Sequence, residues 1–396
     1  MKILVICQYY YPEPFRITDI CEELVGRGHE VTVITGVPNY PMGRVYDGYK
    51  QGENRDQTIN GVKVHRCLTI ARSTGVIWRF LNYYSYAFSS TQYIKSLRSD
   101  YDVIFVNQLS PVMMAYAGIK YRILHDKKLV LYCLDLWPES LISGGISRES
   151  LIYKYYHKIS EKTYKQADKI LVTSSSFSSY FKDEFGIMDT IYVPQYAENI
   201  FKIENCNKSP NDTIDLMFAG NIGVAQSVDT IVRAAALTKD IPSLKWHILG
   251  DGSELDNLKF LAAELDVDNV IFHGRKPIED MPKYYAMADF MLVTMQKNSV
   301  LSMTMPGKIQ TYMAAGKPIL GSIDGETKTV IDKAKCGMCC NAEDSVALSQ
   351  MAKELLSKTK IEMVAFSVNA RKYYEKNYDK TLILNIIESY LIGSEK

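Results

Sequence analysis

The chain has 396 residues, 47% hydrophobic and 23% charged, with 46 Lys and Arg against 45 Asp and Glu. That is the composition of a globular protein too long for one compact core, so two domains are expected. A formal charge of +1 gives no support to nucleic acid as a partner, and no apolar run has the length of a signal core or a membrane span, so the chain reads as cytosolic.

Lys2–Ile6 reads as a strand that runs into the turn Gln8–Pro14. Ile17, Ile20, Cys21, Leu24 and Val25 then make a helix face ended by glycines, and Val31–Ile34 is the next strand. This is a βαβ unit with a parallel pair. Two prolines keep the Tyr11–Pro14 turn extended at the carboxyl edge of the sheet, where ligands of such sheets bind. Further strands are predicted at Val62–His65, Val103–Val106, Leu129–Cys133 and Lys169–Thr173, with a loop at Asn39–Gly43.

Between Arg72 and Arg98 the chain crowds Trp78, Phe80, Leu81, Tyr83, Tyr84, Tyr86 and Phe88 among basic residues. Two readings stand: an interfacial membrane helix, or a helix packed on its own sheet. Leu151–Lys169 repeats the theme more weakly. Leu134–Ser140 sets Asp135 and Glu139 at a strand's carboxyl end beside Trp137. They are either favourable charges at a helix N-terminus or carboxylates facing a hydroxylated substrate.

Residues 1–197 form the expected first domain, 198–213 an Asn-, Lys-, Ser- and Pro-containing linker, and 214–375 the second domain. The second domain opens with Ile214–Ala219 as a strand, a turn at Gly220-Asn-Ile-Gly223, and a helix carrying Val228, Ile231, Val232, Ala235 and Ala236. Strand, glycine turn and helix aim backbone N–H groups and a helix N-terminus at one spot, which suits a phosphate. Lys245–Leu249 leads to Gly250-Asp-Gly252, Val270–Phe272 to His273-Gly-Arg275-Lys276, and Phe290–Val293 to a polar loop ahead of Pro306-Gly-Lys308. After Gly316-Lys-Pro comes Ile319–Gly321, with Asp324-Gly-Glu326 at the next turn. Residues 376–396 close the chain with an apolar-faced helix expected to dock back on the first domain.

Lys308 falls in the first turn of its helix, where a cation opposes the helix dipole unless an anion is present. Asp266-Val-Asp268 has metal–nucleotide spacing but sits at the amino end of a strand, the wrong edge, and reads as a solvated turn. The eight cysteines show no disulfide framework, and Cys336-Gly-Met-Cys339-Cys340 lacks a second Cys/His pair at zinc spacing. No metal site and no cofactor are expected.

The segments YYYPEP, RGHEVTVITGVPNYPMGRVYDGYK, DLWPES, FAGNIGVAQSVDTIV, ILGDGSELDNLK, VIFHGRKP and PGKIQTYMAAGKPIL resemble, in order and over nearly the whole chain, glycosyltransferase family 4. The similarity is to the branch that builds bacterial O-antigen, capsule and exopolysaccharide. It implies the α/β GT-B fold, two facing Rossmann-like domains with a cleft between them. It also implies retaining transfer from a nucleotide sugar to a lipid-diphosphate-linked acceptor, by a peripheral protein on the cytoplasmic face of the membrane.

On that resemblance the donor residues are Gly220, Asn221, Gly223, Gln226, Gly250, Asp251, Gly252, Arg275, Lys276, Pro306, Gly307 and Glu326. Gly220 and Gly223 would approach the diphosphate. Pro12, Glu13, Pro14, Asn107 and Glu139 are the acceptor candidates. Asp135, where many relatives place a histidine touching the sugar, and Lys308 are the catalytic candidates. Two glutamates seven residues apart are frequent in the family; Met303 and Thr311 hold those positions here. Relatives also follow the first glycine turn with Arg and Lys, against Asn221 and Gln226 in this chain, so Lys308 with Arg275 or Lys276 becomes the replacement charge.

A nucleotide-sugar 2-epimerase shares the fold and is the rival enzyme. A two-domain sugar-binding protein would also have a cleft but should carry an export signal. A nicotinamide oxidoreductase would need Gly-x-Gly-x-x-Gly after a strand, which neither turn matches.

Overall fold

Ile3, Leu4, Val5 and Ile6 are fully buried, so the first strand, β1 (Lys2–Ile6), lies in a sheet covered on both faces. The computed structural model describes residues 1–73, 75–201, 206 and 212–393, grouped into two compact units. Thr74 and, within the linker read at 198–213, residues 202–205 and 207–211 lie outside the described residues.

The first unit comprises residues 1–193 and 384 onward. Its strands are β1, β2 (Glu30–Gly36), β3 (Asp56–Ile59), β4 (Val62–Cys67), β5 (Val103–Gln108), β6 (Lys128–Cys133), β7 (Lys169–Val172) and β8 (Thr190–Tyr192). They lie in the order β3-β4-β2-β1-β5-β6-β7-β8, parallel except for the β3–β4 hairpin. The chain winds outward from β1 through β2, then returns to β5 and winds the other way, which makes β1/β5 the switch point. Between the strands run α1 (Ile17–Gly26), α2 (Val76–Ile94), α3 (Tyr116–His125), α4 (Glu139–Ser143), α5 (Leu151–Tyr164) and α6 (Ser175–Phe185).

The second unit, residues 194–383, repeats the plan more regularly. Its strands are β9 (Ile214–Ala219), β10 (Leu244–Leu249), β11 (Val270–Gly274), β12 (Phe290–Thr294), β13 (Ile319–Ser322) and β14 (Gly337–Cys340). All are parallel in the order β11-β10-β9-β12-β13-β14, with the switch point at β9/β12. Its helices are α7 (Asp229–Ala236), α8 (Leu255–Glu264), α9 (Met281–Met287), α10 (Lys308–Ala314), α11 (Glu326–Ala334), α12 (Ser345–Leu355) and α13 (Lys360–Asn377). The apolar residues spaced along 228–236 pack α7 onto the sheet: Val228, Ile231, Val232 and Ala235 share one core with Phe218, Trp246, Ile248 and Leu292. The indole N–H of Trp246 is satisfied by Thr238 Oγ1 at 3.0 Å, so the largest buried side chain carries no orphaned polar atom.

Helix α14 (Lys380–Ile392) ends the described chain, and from residue 384 it belongs to the first unit. There Arg27 Nη1 donates to Glu388 Oε2 at 2.5 Å and to Asn385 Oδ1 at 2.7 Å, while His29 Nε2 meets Glu388 Oε1 at 2.7 Å. Ile387 and Leu391 are buried. Apolar burial supplies the docking energy and the ionic cluster supplies its register.

Candidate active site

Parallel strands deliver their following loops to one edge. Gly220–Gln226 follows β9, Gly250–Gly252 follows β10, Arg275–Lys276 follows β11, and Asp324–Glu326 follows β13. Pro306-Gly-Lys308 lies between β12 and β13 and opens α10. The loops predicted for the donor therefore share the carboxyl edge of one sheet, around its switch point.

Lys308 is the centre of that edge. Its Nζ has no access to solvent and, among the described residues, no hydrogen-bond partner. It lies 3.8 Å from the centroid of the Phe218 ring, on β9. A Cβ on Gly220 would come within 2.8 Å of it. Burial pushes the Lys308 amine down to about 7, since a charge withdrawn from water without a partner is costly. The aromatic face returns part of that cost.

The glycines serve different ends from those expected. Gly220 N–H donates to the Leu249 carbonyl at 2.9 Å, and Gly223 N–H to Gln226 Oε1 at 3.2 Å, so neither offers its own N–H to a diphosphate. Gly220 contributes room for Lys308 instead. Gly250 and Gly252 knit two turns together: a Cβ at Gly250 would stand 1.9 Å from the Gly220 carbonyl, and one at Gly252 would stand 2.2 Å from the Ile222 carbonyl. Asp251 turns back to accept from Gly252 N–H at 2.8 Å. Gln226 Oε1 also accepts from Asn221 Nδ2 at 3.1 Å, which closes the glycine turn on itself. Arg275 is exposed, and Lys276 lies 5.7 Å from the Tyr284 ring. Glu326 is buried at the start of α11. Asp266 and Asp268 are exposed, Asp266 within 3.7 Å of Lys239, as a solvated turn should be.

In the first unit a cavity of about 440 Å³ is lined by Tyr9, Phe15, Tyr40, Arg72, Arg79, Phe80, Tyr83, Ser110, Asp135, Trp137 and Ser140. Asp135 Oδ2 accepts from the Ser110 hydroxyl, which also reaches Ser140 Oγ at 3.0 Å. Burial raises the Asp135 carboxyl above the ordinary range, and the two serines oppose that shift. Tyr9 and Phe15 stack at 4.9 Å with Tyr40 against both, and Arg72 lies 5.6 Å from the Tyr83 ring. Aromatic faces, two guanidiniums and a carboxylate give the cavity both apolar and hydrogen-bonding surface.

The acceptor candidates are spread differently. Glu139 does not line this cavity. Its side chain is 0% exposed, and its carboxylate accepts from the Tyr153 and Tyr180 hydroxyls and from Arg148 Nη2 at 2.8 Å. It is a buried brace between α4, α5 and α6, and the sequence reading at a strand's end gave way to an aromatic cage that local spacing does not reveal. Glu13 is buried too. Its Oε1 accepts from the N–H groups of Asn39 and Tyr40 at 2.8 and 2.7 Å, so it holds the Asn39–Gly43 loop. Burial pushes its carboxyl up to about 7. Pro12 and Pro14 flank it on the β1 turn, Pro14 exposed, and Asn107 is buried on β5. Sequence reading missed Ser110, Ser140, Arg72 and Arg79 as cavity residues, because nothing in their spacing marks them; only the fold gathers them.

Helix α2 resolves the two readings of 72–98 in part. Tyr83, Tyr86, Ala87, Ser90 and Ile94 are buried against the unit, while Val76, Ile77, Trp78, Leu81, Tyr84 and Phe88 are exposed, Ile77 by 75% and Phe88 by 68%. Phe80 turns to the cavity and stacks on Tyr156 of α5. On α5, Leu151 is 84% exposed, with Ile152 and Tyr155 also in solvent. Among the described residues no helix is long and apolar enough to cross a membrane.

Two doubly wound units, one with a buried lysine amine at its switch point and one with an aromatic and cationic cavity, have the layout of an α/β enzyme with ligand sites beyond the carboxyl edges of its sheets. Comparison with known proteins makes this specific. The family model described as Glycosyltransferase Family 4 matches residues 16–193, and that described as Glycosyl transferases group 1 matches residues 199–373. The chain belongs to this glycosyltransferase family and is a transferase of the GT-B fold. It is similar to WcaI of Escherichia coli, named as a colanic acid biosynthesis glycosyl transferase, with 23% identity over 97% of this chain and 98% of that one. It is also similar to WbjE of Pseudomonas aeruginosa, named as a glycosyltransferase, with 24% identity over 69% and 70%. Among solved structures, HepE of Anabaena in complex with UDP-glucose superposes with a TM-score of 0.71 at 15% identity, covering 99% of this chain and 100% of that one.

Proposed function

We propose that the protein is a retaining glycosyltransferase that moves a sugar from a nucleotide sugar to a lipid-diphosphate-linked oligosaccharide in bacterial surface polysaccharide synthesis. The observation that carries the donor half is Lys308, a solvent-free amine without an oxygen partner at the β9/β12 switch point. A diphosphate there would supply the missing acceptor. A relative solved with UDP-glucose supports the same ligand class.

In this reading the departing diphosphate is stabilised by Lys308, aided by Arg275 or Lys276, with no divalent ion required. The bond between the anomeric carbon and the diphosphate oxygen breaks while the acceptor oxygen attacks from the same face. The acceptor's hydroxyl proton passes to the leaving phosphate. In the first-unit cavity Asp135, held by Ser110 and Ser140, faces a sugar hydroxyl, and Arg72 and Arg79 meet the phosphates of the acceptor.

The exposed apolar row on α2 and α5, next to that cavity, rests on the cytoplasmic face of the membrane, where the acceptor's lipid is anchored. Interfacial helices hold a surface through such a row flanked by basic residues, and here Lys154 and Lys158 are exposed on α5. The test of the donor reading is thermal stabilisation by a panel of nucleotides and nucleotide sugars: a ligand present at 100 times its Kd should add about 2.7 kcal/mol. A panel without any stabilising member would reject it, and product analysis without acceptor separates transfer from 2-epimerisation.

A further inference from the structure

We propose that a nucleotide sugar entering the second unit draws one proton from solvent onto Lys308, so that donor binding and lysine protonation are a single linked event. The inference rests on the donor reading above. Its basis is the cluster around Nζ: the Phe218 ring on one side at 3.8 Å, Gly220 without a side chain on the other, and no hydrogen-bond partner among the described residues. An ammonium in that setting lacks the partner that would offset its lost hydration, so the empty site favours the neutral amine.

The other ionisable groups around α10 do not alter this. Tyr312, one turn on, donates its hydroxyl to the Ala219 carbonyl at 3.0 Å. Tyr285 packs edge-on against Tyr312. Arg371, from α13, donates to the Ala314 carbonyl at the far end of the helix. Burial is the one cause of the shift to about 7, and no carboxylate, Glu326 included, contributes to it. A diphosphate brings two negative charges into the same space and restores the ammonium. The amine takes its proton from buffer, and no other bond changes.

Linkage fixes the sign and size. With the free amine near 7, uptake per bound nucleotide sugar should be near zero at pH 6, about half a proton at pH 7 and about nine-tenths at pH 8. Affinity should weaken about fivefold from pH 7 to 8 and approach tenfold per pH unit beyond that. Isothermal titration with UDP-glucose and GDP-mannose, in two buffers of different ionisation enthalpy between pH 6 and 8.5, reads the uptake directly. The diphosphate diester of these ligands does not titrate in that range, so any proton bound belongs to the protein.

Lys308→Arg, whose charge is permanent, should bind with less than about a tenth of a proton taken up at pH 8, by the same linkage. Lys308→Met should lose the uptake together with affinity, and serves if the arginine does not fit. Equal heats in both buffers for the wild type at pH 8 would overturn the inference while leaving the donor reading in place. Uptake unchanged in the Lys308 variants would overturn it as well. If neither nucleotide sugar binds, the donor reading fails and the inference falls with it.

Discussion

Gly220→Ala is the smallest change that challenges the site. The glycine sits at φ +148°, and a Cβ there would stand 2.8 Å from Lys308 Nζ and 3.2 Å from Cε. The backbone conformation alone costs about 1–3 kcal/mol for an L side chain. The clash is with the far end of a flexible lysine, so Lys308 must withdraw from its place over Phe218. Losing one charge-assisted contact to the donor is worth about 1.5–3 kcal/mol, which is roughly 10- to 150-fold in Kd. Calorimetric titration with the nucleotide sugar that stabilises the wild type measures it. Gly26→Ala is the control: Gly26 ends α1 in the first unit, and a Cβ there meets nothing within 4 Å, so its Kd should stay within twofold, about 0.4 kcal/mol. A folded Gly220→Ala protein with wild-type affinity would show that Lys308 makes no contact with the donor.

Glu139→Ala should destabilise the first unit by about 1–3 kcal/mol for each of the two buried tyrosine hydroxyls it leaves without an acceptor, while the half-exposed Arg148 keeps Glu184 as partner; denaturant unfolding checks it, and unchanged stability would reject the bracing role. Glu13, raised to about 7 in the fold against about 4.3 in the unfolded chain, binds its proton more tightly when folded. Its contribution to stability is therefore complete below about pH 4 and is lost as the pH rises through 7, by up to roughly 4 kcal/mol. Glu13→Gln should flatten that slope in unfolding curves taken from pH 4 to 8. Replacing Ile77, Trp78 and Phe88 together by Ser should weaken binding to vesicles containing anionic lipid by at least tenfold, about 1.4 kcal/mol. Retained binding in a flotation assay would remove α2 from the membrane.

The parallel strands could be read from the sequence because both faces of each are covered, which leaves short continuous apolar runs such as Leu129–Cys133 and Phe290–Val293. The strands that escaped notice are the poorly marked ones. Asp56–Ile59 is a short hairpin partner, Thr190–Tyr192 a three-residue edge, and Gly337–Cys340 a run of glycine, methionine and thiols, read only as a cysteine cluster. Lys308 stood out because its charge opposes a helix dipole, a local signal, and the fold leaves its amine unpaired. Glu139 and Phe80 were not separable from their neighbours, because their roles depend on partners elsewhere: Tyr180 is 41 residues from Glu139, and Tyr156 lies on another helix from Phe80. The turn at Gly220–Gly223 shows the same limit. Its glycines were visible, but the destinations of their N–H groups, the Leu249 carbonyl and the Gln226 amide, were not.

In the proposed mechanism the buried amine of Lys308 receives a diphosphate. The most direct measurement is a crystal structure of the protein with an intact nucleotide sugar. Diphosphate oxygen within about 3 Å of Lys308 Nζ, beside Gly220, is the predicted result. A nucleotide bound elsewhere, with that amine still facing only the Phe218 ring, would contradict it.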